Sequence, residues 1–160
     1  MRWEIIDAFQ VLKKNSYARS RKAYSGKEDF FKEHFPGNPR VPEIFFVEMI
    51  AQTGGVLFGL GLDFKKEIIL AKIMKANFGS PVAPPCELKV EAQLQEEREE
   101  GALVSGTVTQ GRILVASAEI LLVAVESLDP SSERKIVFND KFIKFYDIPR
   151  IVEMSQALSR

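Results

Sequence analysis

Residues 34–61 read HFPGNPRVPEIFFVEMIAQTGGVLFGLG, and the change of character at Pro42 decides how the chain folds. Pro36, Pro39 and Pro42 recur every three residues. Each restricts its own backbone and that of the residue before it, which predicts a stiff, extended loop. Pro42 then stands where a helix tolerates proline best, in the first turn. From residue 44 to about residue 60 the pattern is apolar nearly all round, which predicts a helix buried on most sides. Ala51, Gly54, Gly55, Gly59 and Gly61 give that helix thin surfaces. Each glycine costs about 1 kcal/mol of helix propensity relative to alanine, and close approach of another backbone is the expected compensation. One carboxylate, Glu48, sits where such a helix would ordinarily carry an aliphatic residue, and the only histidine, His34, opens the loop before it. A lone imidazole and a misplaced acid are the raw materials of general acid/base chemistry.

Beyond this helix the period of the sequence changes from that of a helix to that of a strand. Leu88, Val90, Ala92 and Leu94 alternate with Lys89, Glu91, Gln93 and Gln95, a two-residue repeat with one wet face. Glu100-Gly101 and Gln110-Gly111 are spaced as hairpin turns, separating strands over residues 103–109 and 113–125. In the latter, Leu114, Ala116, Ala118, Ile120, Leu122 and Ala124 are expected to share one face. Residues 68–78 read as an earlier strand. One long buried helix followed by four antiparallel strands predicts an α+β fold in which a curved sheet wraps the helix.

Before the proline loop, Trp3, Ile6, Phe9 and Leu12 fall at roughly helical spacing, predicting a short helix over residues 3–12. Residues 17–24 alternate loosely as a strand, and residues 29–34 could make one or two helical turns. At the other end, Phe138, Phe142, Phe145 and Tyr146 recur at helical intervals. This tail reads as an amphipathic segment docked on the body of the protein, the alternative being a gate at a substrate site. The expected organisation is one domain over residues 1–128 with an extension over residues 129–160.

Composition narrows the function. A chain of 160 residues can bury one core. Its 46% apolar and 28% charged residues are those of a globular protein. The formal net charge of zero lacks the footprint of a nucleic-acid binder. One cysteine and one histidine cannot build an ordinary protein-only zinc site, so no metal or other cofactor is expected. Cys86, after Pro84-Pro85, reads as a small buried apolar residue and not as a reactive thiol. Residues 1–7 carry Glu4 and Asp7 where a signal peptide needs a basic flank. No run reaches the ~20 consecutive apolar residues of a bilayer span. A cytoplasmic protein is expected, with no membrane or nucleic-acid partner.

The sequence resembles the 3-hydroxyacyl-(acyl carrier protein) dehydratases of bacterial fatty-acid synthesis, FabZ and FabA, which have the hot-dog fold. The residues that carry the likeness are His34-Phe35-Pro36-Gly37, Pro39, Pro42, Glu48, and Ala51-Gln52 followed by Gly54-Gly55. The segment Ala76-Asn77-Phe78-Gly79-Ser80-Pro81-Val82-Ala83-Pro84 looks like the family's strand-to-loop passage. The similarity runs from about residue 17 to residue 126. Glutamate at position 48 looks more like FabZ than FabA, favouring plain dehydration over the added isomerisation. Two positions depart from the family: Glu33 stands where glycine precedes the histidine, and Val41-Pro42-Glu43 stands where the family has Met-Pro-Gly.

The resemblance implies His34 and Glu48 as the catalytic pair, with Phe35, Gly37, Pro42, Glu43 and Gln52 at the substrate site. Its partners would be an acyl carrier protein bearing a 3-hydroxyacyl chain and a second copy of the chain. In the family the histidine and the acid of one site come from different subunits, so a homodimer is expected and a trimer of dimers stays open. The chemistry suits the residues. An unperturbed imidazole, titrating near ~6.5, is substantially neutral in the cytoplasm and fit to take the C2 proton. Glu48 suits the departing C3 hydroxyl, and free N–H groups at the helix start near Glu43 suit the thioester oxygen. Gln52, one turn after Glu48, is placed to support it by a hydrogen bond. Two rival readings remain: a hot-dog thioesterase, and a noncatalytic acyl-binding homologue kept alive by Glu33 and Glu43.

Overall fold

A computed structural model describes residues 4–132 and 134–158. Among them, six strands form one antiparallel sheet: β1 (Ala8–Lys13), β2 (Tyr17–Tyr24), β3 (Glu67–Phe78), β4 (Cys86–Glu97), β5 (Gly101–Gln110) and β6 (Ile113–Val125). Their spatial order is β1-β2-β4-β5-β6-β3. Helix α1 (Glu43–Gly61) follows a single 3₁₀ turn (Asp29–Lys32) and lies on one face of the sheet, touching every strand. Two short helices, α2 (Asp140–Phe145) and α3 (Ile148–Ala157), end the chain. This is the hot-dog arrangement.

The two-residue repeat builds the inner face. Cys86, Leu88, Val90 and Ala92 of β4 are buried, as are Ala102, Val104 and Val108 of β5. Against them pack Phe46, Met49, Ile50, Val56, Leu57 and Phe58 of α1. Burial pushes the Cys86 thiol above its ordinary pKa, keeping it protonated and inert. By length and composition α1 could cross a membrane, but 67% of its apolar window is buried inside this fold. A polar tie fixes its rotation: Ser20 and Thr53 share a buried hydrogen bond of 2.7 Å, and the Thr53 hydroxyl also reaches the Met49 carbonyl at 2.7 Å.

Four readings of the sequence require correction. Residues 8–13 are a strand, not part of a helix; Trp3 lies outside the described residues. A bulge at Gln10, between the pairs Phe9–Ser20 and Val11–Arg19, turns both Phe9 and Leu12 inward. Two inward residues three apart then mimic a helical interval. Leu114 is not on the buried face of β6, because the register shift that sets Ala116 on Val108 and Leu114 on Thr109 leaves Val115 as the inward residue. The proline loop is not extended throughout. Phe35 and Asn38 exchange backbone hydrogen bonds of 3.3 and 2.9 Å around Gly37, whose φ of +72° is open to glycine.

The helix glycines, finally, receive side chains and not another backbone. A Cβ on Gly54 would lie 2.8 Å from Val104 Cγ1, and one on Gly59 would lie 2.9 Å from Phe138 Cε2. Both therefore face side chains of their own chain.

Candidate active site

The loop holds His34 by its backbone and its ring. The His34 N–H donates to the Phe30 carbonyl at 3.0 Å, and the Arg40 N–H donates to the His34 carbonyl at 2.9 Å. Nδ1 lies 3.1 Å from the Arg40 carbonyl oxygen. That oxygen can only accept, so Nδ1 carries the proton and Nε2 is left as the basic nitrogen. The half-buried ring stacks on exposed Phe35 with centroids 4.1 Å apart. Val41 then ties the loop to the body, its N–H donating to the Val82 carbonyl at 2.9 Å.

Pro42 occupies the N-cap of α1 and Glu43 the first helical position, with no side chain capping that end. Helix geometry leaves the first N–H groups without intrahelical acceptors. The Glu43 side chain is exposed, while Pro42 is half-buried and Gly37 sits at the exposed tip of the turn. One turn into the helix, half-buried Glu48 accepts a hydrogen bond from Gln52 Nε2 at 2.9 Å.

Glu48 and Gln52 border two cavities. A smaller one, 350 Å³, is bounded by Ile5, Ile44 and Phe45. A second, 420 Å³, is lined by Ala51, Gly55 and Val56 of α1, by Ile68, Ile69 and Leu70 of β3, and by Val137, Phe138, Phe142 and Tyr146. Glu48 is thus an acid at the junction of two apolar spaces. Glu48 and Gln52 come together as the sequence predicts. His34 borders neither of these two cavities.

The family model of ApeI-like dehydratases, ApeI dehydratase, matches residues 11–115. The chain belongs to that family. Among its relatives is the 3-hydroxyacyl-(acyl-carrier-protein) dehydratase FabZ of a Hydrogenobaculum species, 36% identical over 111 residues that cover 68% of this chain and 74% of the relative. The FabZ of Caulobacter sp. strain K31 is 33% identical over 103 residues, 62% of this chain. The match spans 63% of that relative's length. Among solved structures, the dehydratase heterocomplex ApeI:P of Xenorhabdus doucetiae superposes with a TM-score of 0.61 at 15% identity, covering 78% of this chain and 86% of that one. A candidate thioesterase of Lactococcus lactis gives 0.63 at 15% identity, covering 75% and 92%. These two likenesses establish the hot-dog fold alone.

In this family member the loop and the helix are legible from the sequence, but most of the larger cavity is not. Phe9 reads there as part of a helix, and the aromatic tail as a docked segment or, alternatively, a gate at a substrate site. The signal was present in Phe138, Phe142 and Tyr146, each four residues after the last.

Glu43 supplies a direct test of the helix start. With its side chain exposed, only its N–H is offered to a ligand at this end. Glu43→Gly is therefore expected to leave the rate of the protein's reaction within a few-fold of wild type, and a large rise would show that the carboxylate opposes a developing oxyanion.

Proposed function

We propose that this protein dehydrates 3-hydroxyacyl thioesters, carried on acyl carrier protein, to trans-2-enoyl thioesters in fatty-acid or related lipid synthesis. The observation that carries the proposal is Glu48, an acid held by Gln52 at the head of an apolar cavity, in a chain whose family is that of the dehydratases. In the reaction, Nε2 of His34 removes the C2 proton, and the electron pair of that bond forms the C2–C3 double bond. Glu48 gives its proton to the departing C3 hydroxyl, which leaves as water. The N–H of Glu43 at the helix start holds the thioester oxygen as it gains charge. Phe35, Gly37 and Pro42 shape the entrance around the histidine.

The complete site takes its histidine from one subunit and its acid from another, in a cytoplasmic homodimer. Two features of the sheet support this. One edge is covered by the chain itself: the Leu12 N–H of β1 donates to Ser155 Oγ of α3 at 2.9 Å. The other edge is open, for Ile73, Met74 and Phe78 of β3 are 42%, 51% and 46% exposed. A long apolar edge invites pairing, and its bulges together with Lys72 and Lys75 restrain open-ended growth. Closed pairing with one copy satisfies both. Ile73→Lys is expected to yield a monomer by light scattering, with dehydration lost along with the shared site; a fully active monomer would overturn the shared-site reading.

The test of the function itself is a single assay of purified protein with 3-hydroxyacyl and enoyl thioesters, following enoyl absorbance and free thiol together. Enoyl absorbance without thiol release is the expected result. Thiol release would indicate a thioesterase, and neither signal would indicate a noncatalytic acyl-binding protein.

A further inference from the structure

We propose that residues 136–146, beyond the stretch matched by the family model, form the end wall of the acyl cavity and so set the chain length the protein accepts. The inference rests on the dehydratase reading above. The larger cavity begins at Glu48 and Gln52, the polar end where the reacting carbons would lie, and is otherwise lined mainly by apolar side chains up to Phe138, Phe142 and Tyr146. An acyl chain extending from a thioester at Glu48 has this space before it. Its occupant is that chain, because the cavity is continuous with the acid and is otherwise lined mainly by hydrocarbon and aromatic surface.

A ruler must not yield, and this wall is held at both ends. At one end the carboxylate of Glu67, with no exposed surface, accepts from the backbone N–H groups of Ile136 at 2.6 Å, Val137 at 3.1 Å and Phe138 at 3.4 Å. At the other, the Tyr146 hydroxyl donates to the Ile6 carbonyl at 3.0 Å. Between these anchors the rings brace one another. Phe138 and Phe142 meet edge to face at 5.4 Å, Phe142 and Tyr146 lie tilted at 4.9 Å, and Tyr146 meets Phe9 edge to face at 5.2 Å. Phe138 in turn sits against the gap left by Gly59.

Phe142 is the residue to change, since it lines the cavity and is only partly buried. Phe142→Ala deepens the space and Phe142→Trp shortens it. The experiment compares both variants with wild type, as full-length protein checked for folding by thermal melting. It measures kcat/KM over 3-hydroxyacyl thioesters of increasing length and calorimetric affinity for unreactive saturated acyl-pantetheine amides of the same lengths. A hydrophobic pocket distinguishes one methylene by about tenfold or more. Phe142→Ala is expected to raise the ratio of long-chain to short-chain affinity by about tenfold, and Phe142→Trp to lower it by as much. Unchanged length profiles in both folded variants would overturn the inference, as would a dimer structure in which the partner's side chains fill the cavity. If wild type dehydrates no thioester, the dehydratase reading fails by itself, and the amide series still decides whether the wall measures chain length.

Discussion

Replacing His34 by alanine, or Glu48 by glutamine, is expected to lower the dehydration rate by ~10²-fold or more while the protein stays folded, because positioned acids and bases contribute at least that much. The reasons differ. His34→Ala removes the only imidazole in the chain, and nothing else in the loop can take a C2 proton. Glu48→Gln keeps the size of the side chain and can still meet Gln52 through its amide, but it has no acidic proton to give to a departing hydroxyl. Neither side chain belongs to the buried core, so thermal melting should shift little. Mixing the two inactive proteins supplies a sharper test. If histidine and acid come from different subunits, each mixed dimer holds one site with both changes and one with neither. Random reassortment would then restore roughly a quarter of wild-type activity. No recovery after verified exchange would place both groups in one chain.

Much of this architecture is legible in the sequence because it depends on local pattern. The buried helix announces itself through an apolar run wider than any single face, and β4 through strict alternation from Leu88 to Gln95. The histidine loop, the acid and its glutamine partner are likewise readable from residue type and spacing. The misreadings share one physical cause. Bulges at Gln10 and Val115 insert a residue into the two-residue period, so Phe9 imitates a helix and Leu114 is assigned to the wrong face. What the sequence hides altogether is long-range. Gly54 and Gly59 advertise thin surfaces without saying that Val104 and Phe138 fill them. Glu67 reads as an ordinary charge before a strand, yet its partners lie about seventy residues away.

Glu67→Ala is expected to destabilise the protein by about 3 kcal/mol, the scale of hydrogen bonds to a charged group and of buried donors left unmet. The carboxylate has no exposed surface and receives the N–H groups of Ile136, Val137 and Phe138. Removing it strands all three donors beside an apolar void. The chain can relieve part of that cost by letting the segment lift into water, which limits the loss but gives up the burial of Phe138. In a protein of this size 1 kcal/mol corresponds to about 2–4 °C in Tm, so a fall of about 6–12 °C is expected in a melting experiment. Glu67→Gln, retaining one acceptor oxygen but placing an NH₂ group among donors, should fall between wild type and alanine. Amide hydrogen exchange distinguishes local release from a general loss of stability: in Glu67→Ala, protection should fall first at residues 136–138 and only later along β4 and β5. An unchanged Tm together with unchanged protection there would show that the carboxylate does not anchor the end wall, and the rigidity of that wall would then have to rest on Tyr146 and the aromatic contacts alone.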